Sequence, residues 1–165
     1  MVKIEWMITD PIKGVELKEF DTVWNGIFGY FQIRMNDRVL GFCPDRELLD
    51  GEEGNEDILH WFTQLSDGII QLNTCQEYEI QLLSMNMAKI ILKNNDNLRI
   101  SFVNTNTDEV IWSEKVIAQE WHDEVKWNIE RFMKEVQEGN SILLGSNLMQ
   151  KLIKRKETME QVIKF

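Results

Sequence analysis

The sequence predicts an α+β domain: an antiparallel sheet of about six or seven strands, arranged as a meander, with helices packed on one face. Three observations carry that expectation. Apolar and polar residues alternate with period two in several short runs between Gln76 and Ile117. The turns between those runs have lengths that place apolar residues opposite one another. Directly afterwards, from Ala118 to Glu138, the period becomes that of a helix.

The chain opens with Lys3–Ile8, where Ile4, Trp6 and Ile8 alternate as in a strand. Asp10-Pro11 ends it, Gly14 sits in the turn that follows, and Val15–Phe20 reads as a further short strand. Ile27–Met35 and Arg38–Phe42 form a hairpin about Asn36-Asp37. A two-residue loop there sets Ile33 opposite Leu40 and Phe31 opposite Phe42. Gly26 and Gly29 mark a bend or bulge at its start.

Pro44–Asp57 is acidic: Asp45, Glu47, Asp50, Glu52, Glu53, Glu56 and Asp57 face one base, Arg46, and Gly51 and Gly54 keep it irregular. Asn55 is the expected cap of a helix whose first turn holds Glu56 and Asp57, where carboxylates suit the positive end of the helix dipole. Ile58, Phe62 and Leu65 face inward, and Asp67-Gly68 is the expected stop. Ile69–Leu72 then leads back towards the sheet.

In the meander, Tyr78, Ile80 and Leu82 oppose Ala88, Ile90 and Leu92 across a Ser84-Met85-Asn86 loop. That register sets Glu77 against Lys93 and Gln81 against Lys89 on the wet face. Asn94-Asn95-Asp96 closes the next hairpin, onto Leu98, Ile100 and Phe102, and Glu109–Ile117 adds Val110, Trp112 and Val116. The helical stripe that follows is Ala118, Trp121, Val125, Ile129, Phe132, Met133 and Val136, stopped by Gly139-Asn140. From Gly145-Ser146 a last helix carries Leu148, Leu152, Met159 and Ile163 on one side. Lys151, Lys154, Arg155, Lys156 and Lys164 lie on the other. Residues 1–165 read as a single domain, with 145–165 either part of the core or an arm that pairs two copies as a homodimer.

Composition limits the function more than it reveals it. A net charge of −10 opposes binding to nucleic acid or an anionic membrane and admits a basic protein partner. No run has the length of a membrane-spanning helix, and the start lacks the apolar region of a secretory signal, so a cytoplasmic protein is expected. Cys43 and Cys75 read as reduced, buried thiols. No zinc spacing, phosphate-cradling glycine loop or nucleophile elbow occurs, and no cofactor is expected. The acidic stretch fails as a calcium loop because Leu48 and Leu49 stand where oxygen ligands belong.

Few residues remain for chemistry. His60 falls opposite its helix's apolar stripe and is expected to be exposed; His122 sits at a stripe edge, where histidine is usually a structural hydrogen-bonding group. Cys43 has no base or positive field to activate it. Trp127 stands out, lying opposite the stripe of the long helix beside Glu120, Glu130, Arg131 and Lys134. Either Leu148 or Leu152 of the last helix covers it, which is the favoured reading, or a partner does. The leading expectation is therefore a non-enzymatic protein-binding module, of the kind exemplified by an acidic immunity protein against a basic toxin. Its contact residues would be Trp127, Asp45, Glu47, Asp50, Glu52 and Glu53. The alternatives are a ligand-binding or catalytic domain using His122, Glu120 and Tyr78, and an assembly subunit.

Overall fold

A computed structural model describes residues 1–83, 85, 87–94 and 97–163. Strand β1 (Val2–Ile8) is followed by a short helical turn, α1 (Leu17–Glu19), that runs into one π-helical turn (Phe20–Trp24). The segment Val15–Phe20 is thus not a strand. The carbonyls of Ile12, just before it, and of Val15 accept from the Asn140 side-chain amide at 2.8 and 2.9 Å, Phe20 is fully buried, and Asn25 closes the turn in the left-handed region at φ 50°. Strands β2 (Phe28–Met35) and β3 (Arg38–Phe42) pair in the expected register, Ile33 with Leu40 and Phe31 with Phe42. Asn36 takes the left-handed conformation in the turn, at φ 52°.

The acidic stretch ends in a two-residue strand, β4 (Glu56–Asp57), which pairs with Phe28–Gly29 of β2. Gly54 explains why that return is tight: a Cβ there would meet the Gly29 carbonyl at 2.0 Å. Helix α2 (Ile58–Leu72) therefore starts two residues later than the Asn55 cap implies. Its cap is Asp57, whose Oδ1 accepts from His60 N at 3.1 Å. Nor does it stop at Asp67-Gly68. Gly68 lies inside the helix because the backbone passes close to the sheet there, with Leu92 Cδ1 3.0 Å and Tyr78 Cδ1 3.1 Å from where its Cβ would be.

Strands β5 (Glu77–Gln81), β6 (Ala88–Asn94), β7 (Leu98–Asn104) and β8 (Val110–Val116) follow as a meander. β5 and β6 pair in the expected register, whereas Asn94, expected in the second turn, is still in β6 and pairs with Leu98, which shifts β6 against β7 by two residues and leaves the same side chains on the inner face. Glu77 pairs with Lys93 at 3.3 Å, and Lys89 reaches diagonally to Glu79 at 3.0 Å. Ser84 and Asn86 of the first expected loop, and Asn95 and Asp96 of the second, lie outside the described residues. Helix α3 (Ala118–Asn140), a 3-10 turn (Ser141–Gly145) and helix α4 (Asn147–Ile163) complete the chain.

The strands form two antiparallel four-stranded sheets, one of β1, β2, β3 and β4 and the other of β5 to β8, and not one sheet of six or seven. The pairing β4 makes with β2 sends the chain into α2 before β5 begins. The sheets meet through side chains instead: Asn36 Nδ2 donates to Glu114 Oε2 at 3.0 Å and to the Lys115 carbonyl at 3.1 Å.

Their inner faces share one core with the helices. At its centre Phe62 of α2 meets Trp6, Phe31 and Phe132 at ring-centroid distances of 6.0, 5.5 and 5.3 Å. Each such pair adds roughly 0.5–1.5 kcal/mol beyond its buried area. Helix α2 is buried almost all round, because sheets lie on one side and α4 on the other. Thr63 and Ser66 are tolerated there because their hydroxyls donate back to the carbonyls of Leu59 and Phe62, at 2.9 and 2.6 Å. Helix α4 is capped by Ser146, whose Oγ accepts from Met149 N at 3.2 Å. It buries Met149, Leu152 and Met159 completely and ties Arg155 to Asp67.

Candidate functional site

Trp127 sits on the outer face of α3 because its neighbours on the inward stripe, Val125 and Ile129, are fully buried. It remains 53% exposed. Helix α4 does not cover it: Leu152 is used in the core and Leu148 packs against that core. Instead Trp127 lines an open depression of about 500 Å³ with Met1, Val2, Glu120, Asp123 and Glu124.

The indole is held from behind by charge. The Arg131 guanidinium carbon lies 4.6 Å from the Trp127 ring centroid and 5.3 Å from that of buried Trp6, so one cation contacts two indoles. Such contacts contribute about 0.5–1 kcal/mol at exposed sites. Arg131 is oriented in turn by Asn128 Oδ1 at 3.3 Å, which also accepts from Trp6 Nε1 at 3.0 Å. Asn128 donates to Glu124 Oε1 at 3.0 Å, and the same oxygen accepts from Ile4 N at 2.8 Å. Glu124 is therefore committed to the free edge of β1, while Glu120 and Asp123 stand exposed beside Trp127.

The acidic stretch lies elsewhere, after β3 and before β4. Arg46 forks onto Glu52 at 2.7 and 2.8 Å, and Glu52 also accepts from Leu49 N at 2.9 Å. The Arg46 hydrogen bonds hold the Glu52 carboxyl well below the usual carboxylate range, at about 2. Asp45, Glu47, Asp50 and Glu53 are exposed. Trp127 is thus beside β1, at one edge of the first sheet, and the acidic loop follows β3.

The three residues weighed for catalysis are dispersed. His122 is half-buried against a cavity of about 230 Å³ that Ile69, Leu72, Asn94 and Gln119 also line. Burial pushes its pKa down, which favours the neutral ring. Glu120 is at the Trp127 depression, and Tyr78 packs beside Gly68. His60 is not exposed as expected. It is half-buried, its Nε2 2.7 Å from the Gln64 amide, and lines a cavity of about 250 Å³ with Asp57 and Trp61. Cys75 is exposed rather than buried, and Cys43 is half-buried with burial pushing its thiol up, away from the reactive thiolate.

The sequence did not single out Asn128 or the cavity at His60, and it placed Asp57 in the first turn of α2 rather than at its cap. The i,i+4 spacing of Glu124 to Asn128 and of Trp127 to Arg131 was the available signal for the first. Consecutive Leu82 and Leu83 were the signal for the cavity, since alternation forces one of them outward. No helix among the described residues is long and apolar enough to cross a membrane, and no group of three or more metal-ligating side chains converges among them. No family model matches the chain, and no curated protein or solved structure matches it either.

Proposed function

We propose that the chain is a non-enzymatic protein-binding module, an acidic inhibitor or immunity-type protein whose partner is a basic protein. The observation that carries this reading is Trp127, an indole 53% exposed on a helix and pre-oriented by Arg131, with Glu120 and Asp123 beside it. Tryptophan is the residue type most enriched at interface hot spots, and its cost in water is recovered when a partner covers it. The carboxylates favour a basic partner and speed encounter, as does the net charge of −10. Asp45, Glu47, Asp50 and Glu53, on the loop after β3, add to the negative charge of the molecule away from Trp127, with Glu52 bracing that loop through Arg46.

A catalytic reading loses support because His122 and Glu120 line different cavities, and Tyr78 lines neither of the two. An arm-like homodimer loses support because the apolar stripe of α4 is spent inside its own chain.

The test is affinity for a captured basic partner, compared across three substitutions. Trp127→Ala is expected to weaken binding by about 2 kcal/mol or more, as at interface hot spots. Glu120→Lys should slow association and flatten its salt dependence. Equal affinity for wild type and Trp127→Ala would rule out this surface.

A further inference from the structure

We propose that the cavity between the first turn of α2 and the end of β5 receives one arginine side chain of a polypeptide partner. It measures about 250 Å³ and is lined by Phe28, Glu56, Asp57, His60, Trp61 and Leu83, with Asn55, Gln64, Ile80 and Gln81 completing it. That is smaller than the roughly 300–1,000 Å³ of clefts that enclose whole small molecules, and it suits a single side chain.

The lining chooses the charge. Two carboxylates and three side-chain amides supply oxygens, and no lysine or arginine lines the cavity among the described residues. Asp10 lies close enough to Asp57, and Glu53 to Asp10, for their charges to add to the same negative field. The amino end of α2 does not turn this into an anion site. Its first amides are already taken, Ile58 N by the Ile27 carbonyl at 2.9 Å and His60 N by Asp57 Oδ1 at 3.1 Å.

Shape then favours arginine over lysine. A planar guanidinium can lie against the half-buried Phe28 ring while forking onto carboxylate and amide oxygens, which a compact ammonium cannot do. Trp61 forms a fixed wall, because its ring stacks on Phe31 at 4.8 Å and its Nε1 donates to Glu56 Oε2 at 2.9 Å.

A polypeptide source is favoured by the rim. Leu83 lines the cavity and is 61% exposed. An apolar residue flanking an inserted arginine would cover it. The inference rests on the protein-binding reading only for the source of the side chain. The cavity is separate from Trp127, and its chemistry can be tested without any partner.

The experiment is an NMR titration of the full chain with acetyl-Leu-Arg-Leu-amide, its neutral citrulline counterpart and free arginine. Saturable shifts are expected at the Trp61 indole, the His60 ring and Phe28, with the citrulline peptide and free arginine each roughly tenfold weaker or more. Leu83→Lys places a tethered ammonium at the rim of an exposed, fold-tolerant position and should weaken the arginine peptide by a similar factor. Trp127→Ala should leave it unchanged. Four results would overturn the proposal: equal binding of the citrulline peptide, an unaffected Leu83→Lys, shifts spread over Asp45–Glu53 and α3 with none at Trp61, or free arginine binding as tightly as the peptide.

Discussion

Asn128 shows how much a single buried polar residue can organise. It is fully buried, and its amide joins Trp6 Nε1, Glu124 and Arg131 in one network beneath Trp127. Asn128→Ala would leave the Trp6 N–H buried without its acceptor, a cost of about 1–3 kcal/mol that urea denaturation would register. It should also loosen Arg131, so Trp127 fluorescence should shift even where the fold survives. Arg46 and Glu52 make a second prediction at this scale. The folded Glu52 carboxyl titrates near 2 against an ordinary 4.5, so its contribution to the fold is complete above 4.5 and is lost as pH falls towards 2. Burial pushes Asp10 and Asp57 the other way: what they contribute is complete below the ordinary 3.8 and is lost as pH rises through their raised folded values. A carboxyl-resolved NMR titration should find Glu52 low in the wild type and moved up in Arg46→Ala, with the Leu49 amide retaining part of the lowering. Of these residues only Trp127 and the acidic set were legible in the sequence. Period marks a residue's face, but it does not reveal which distant groups meet there.

The hairpins were the most legible elements. Their registers follow from alternation and from turn length, which are local properties, and Ile33 with Leu40 or Ile80 with Ile90 needed no tertiary information. Helix α2 was misread at both ends for a tertiary reason. Asp57 serves β4 and caps the helix at once, while Gly68, normally a stop, is needed where the backbone passes Leu92 and Tyr78. Gly68→Val would force side-chain volume into that contact and should cost ~1–3 kcal/mol, read as a lower urea midpoint with an unchanged slope. Gly145→Ala, in open space, should change stability far less.

At the scale of the whole molecule, the sequence supported neighbouring pairings but not the division into two sheets. Whether β1–β4 joins β5–β8 depends on where α2 passes, and no local pattern encodes that. Helix α4 is the other global feature. Met149, Leu152 and Met159 are fully buried against the rest of the chain. A chain ending at Gly145 should therefore lose cooperative unfolding by circular dichroism, because it uncovers α2, rather than merely change its elution in gel filtration.

Trp127 and Phe42 are both large aromatics exposed outside the core, and it is Trp127, braced by Arg131, on which the protein-binding reading stands. Hydrogen exchange on the wild-type chain, with and without a captured basic partner, tests that claim most directly. Protection is expected to concentrate in the first half of α3 around Trp127 and to be absent in Trp127→Ala. A stoichiometric partner that protects α3 no more than the rest of the surface, or that binds Trp127→Ala as tightly, would contradict it.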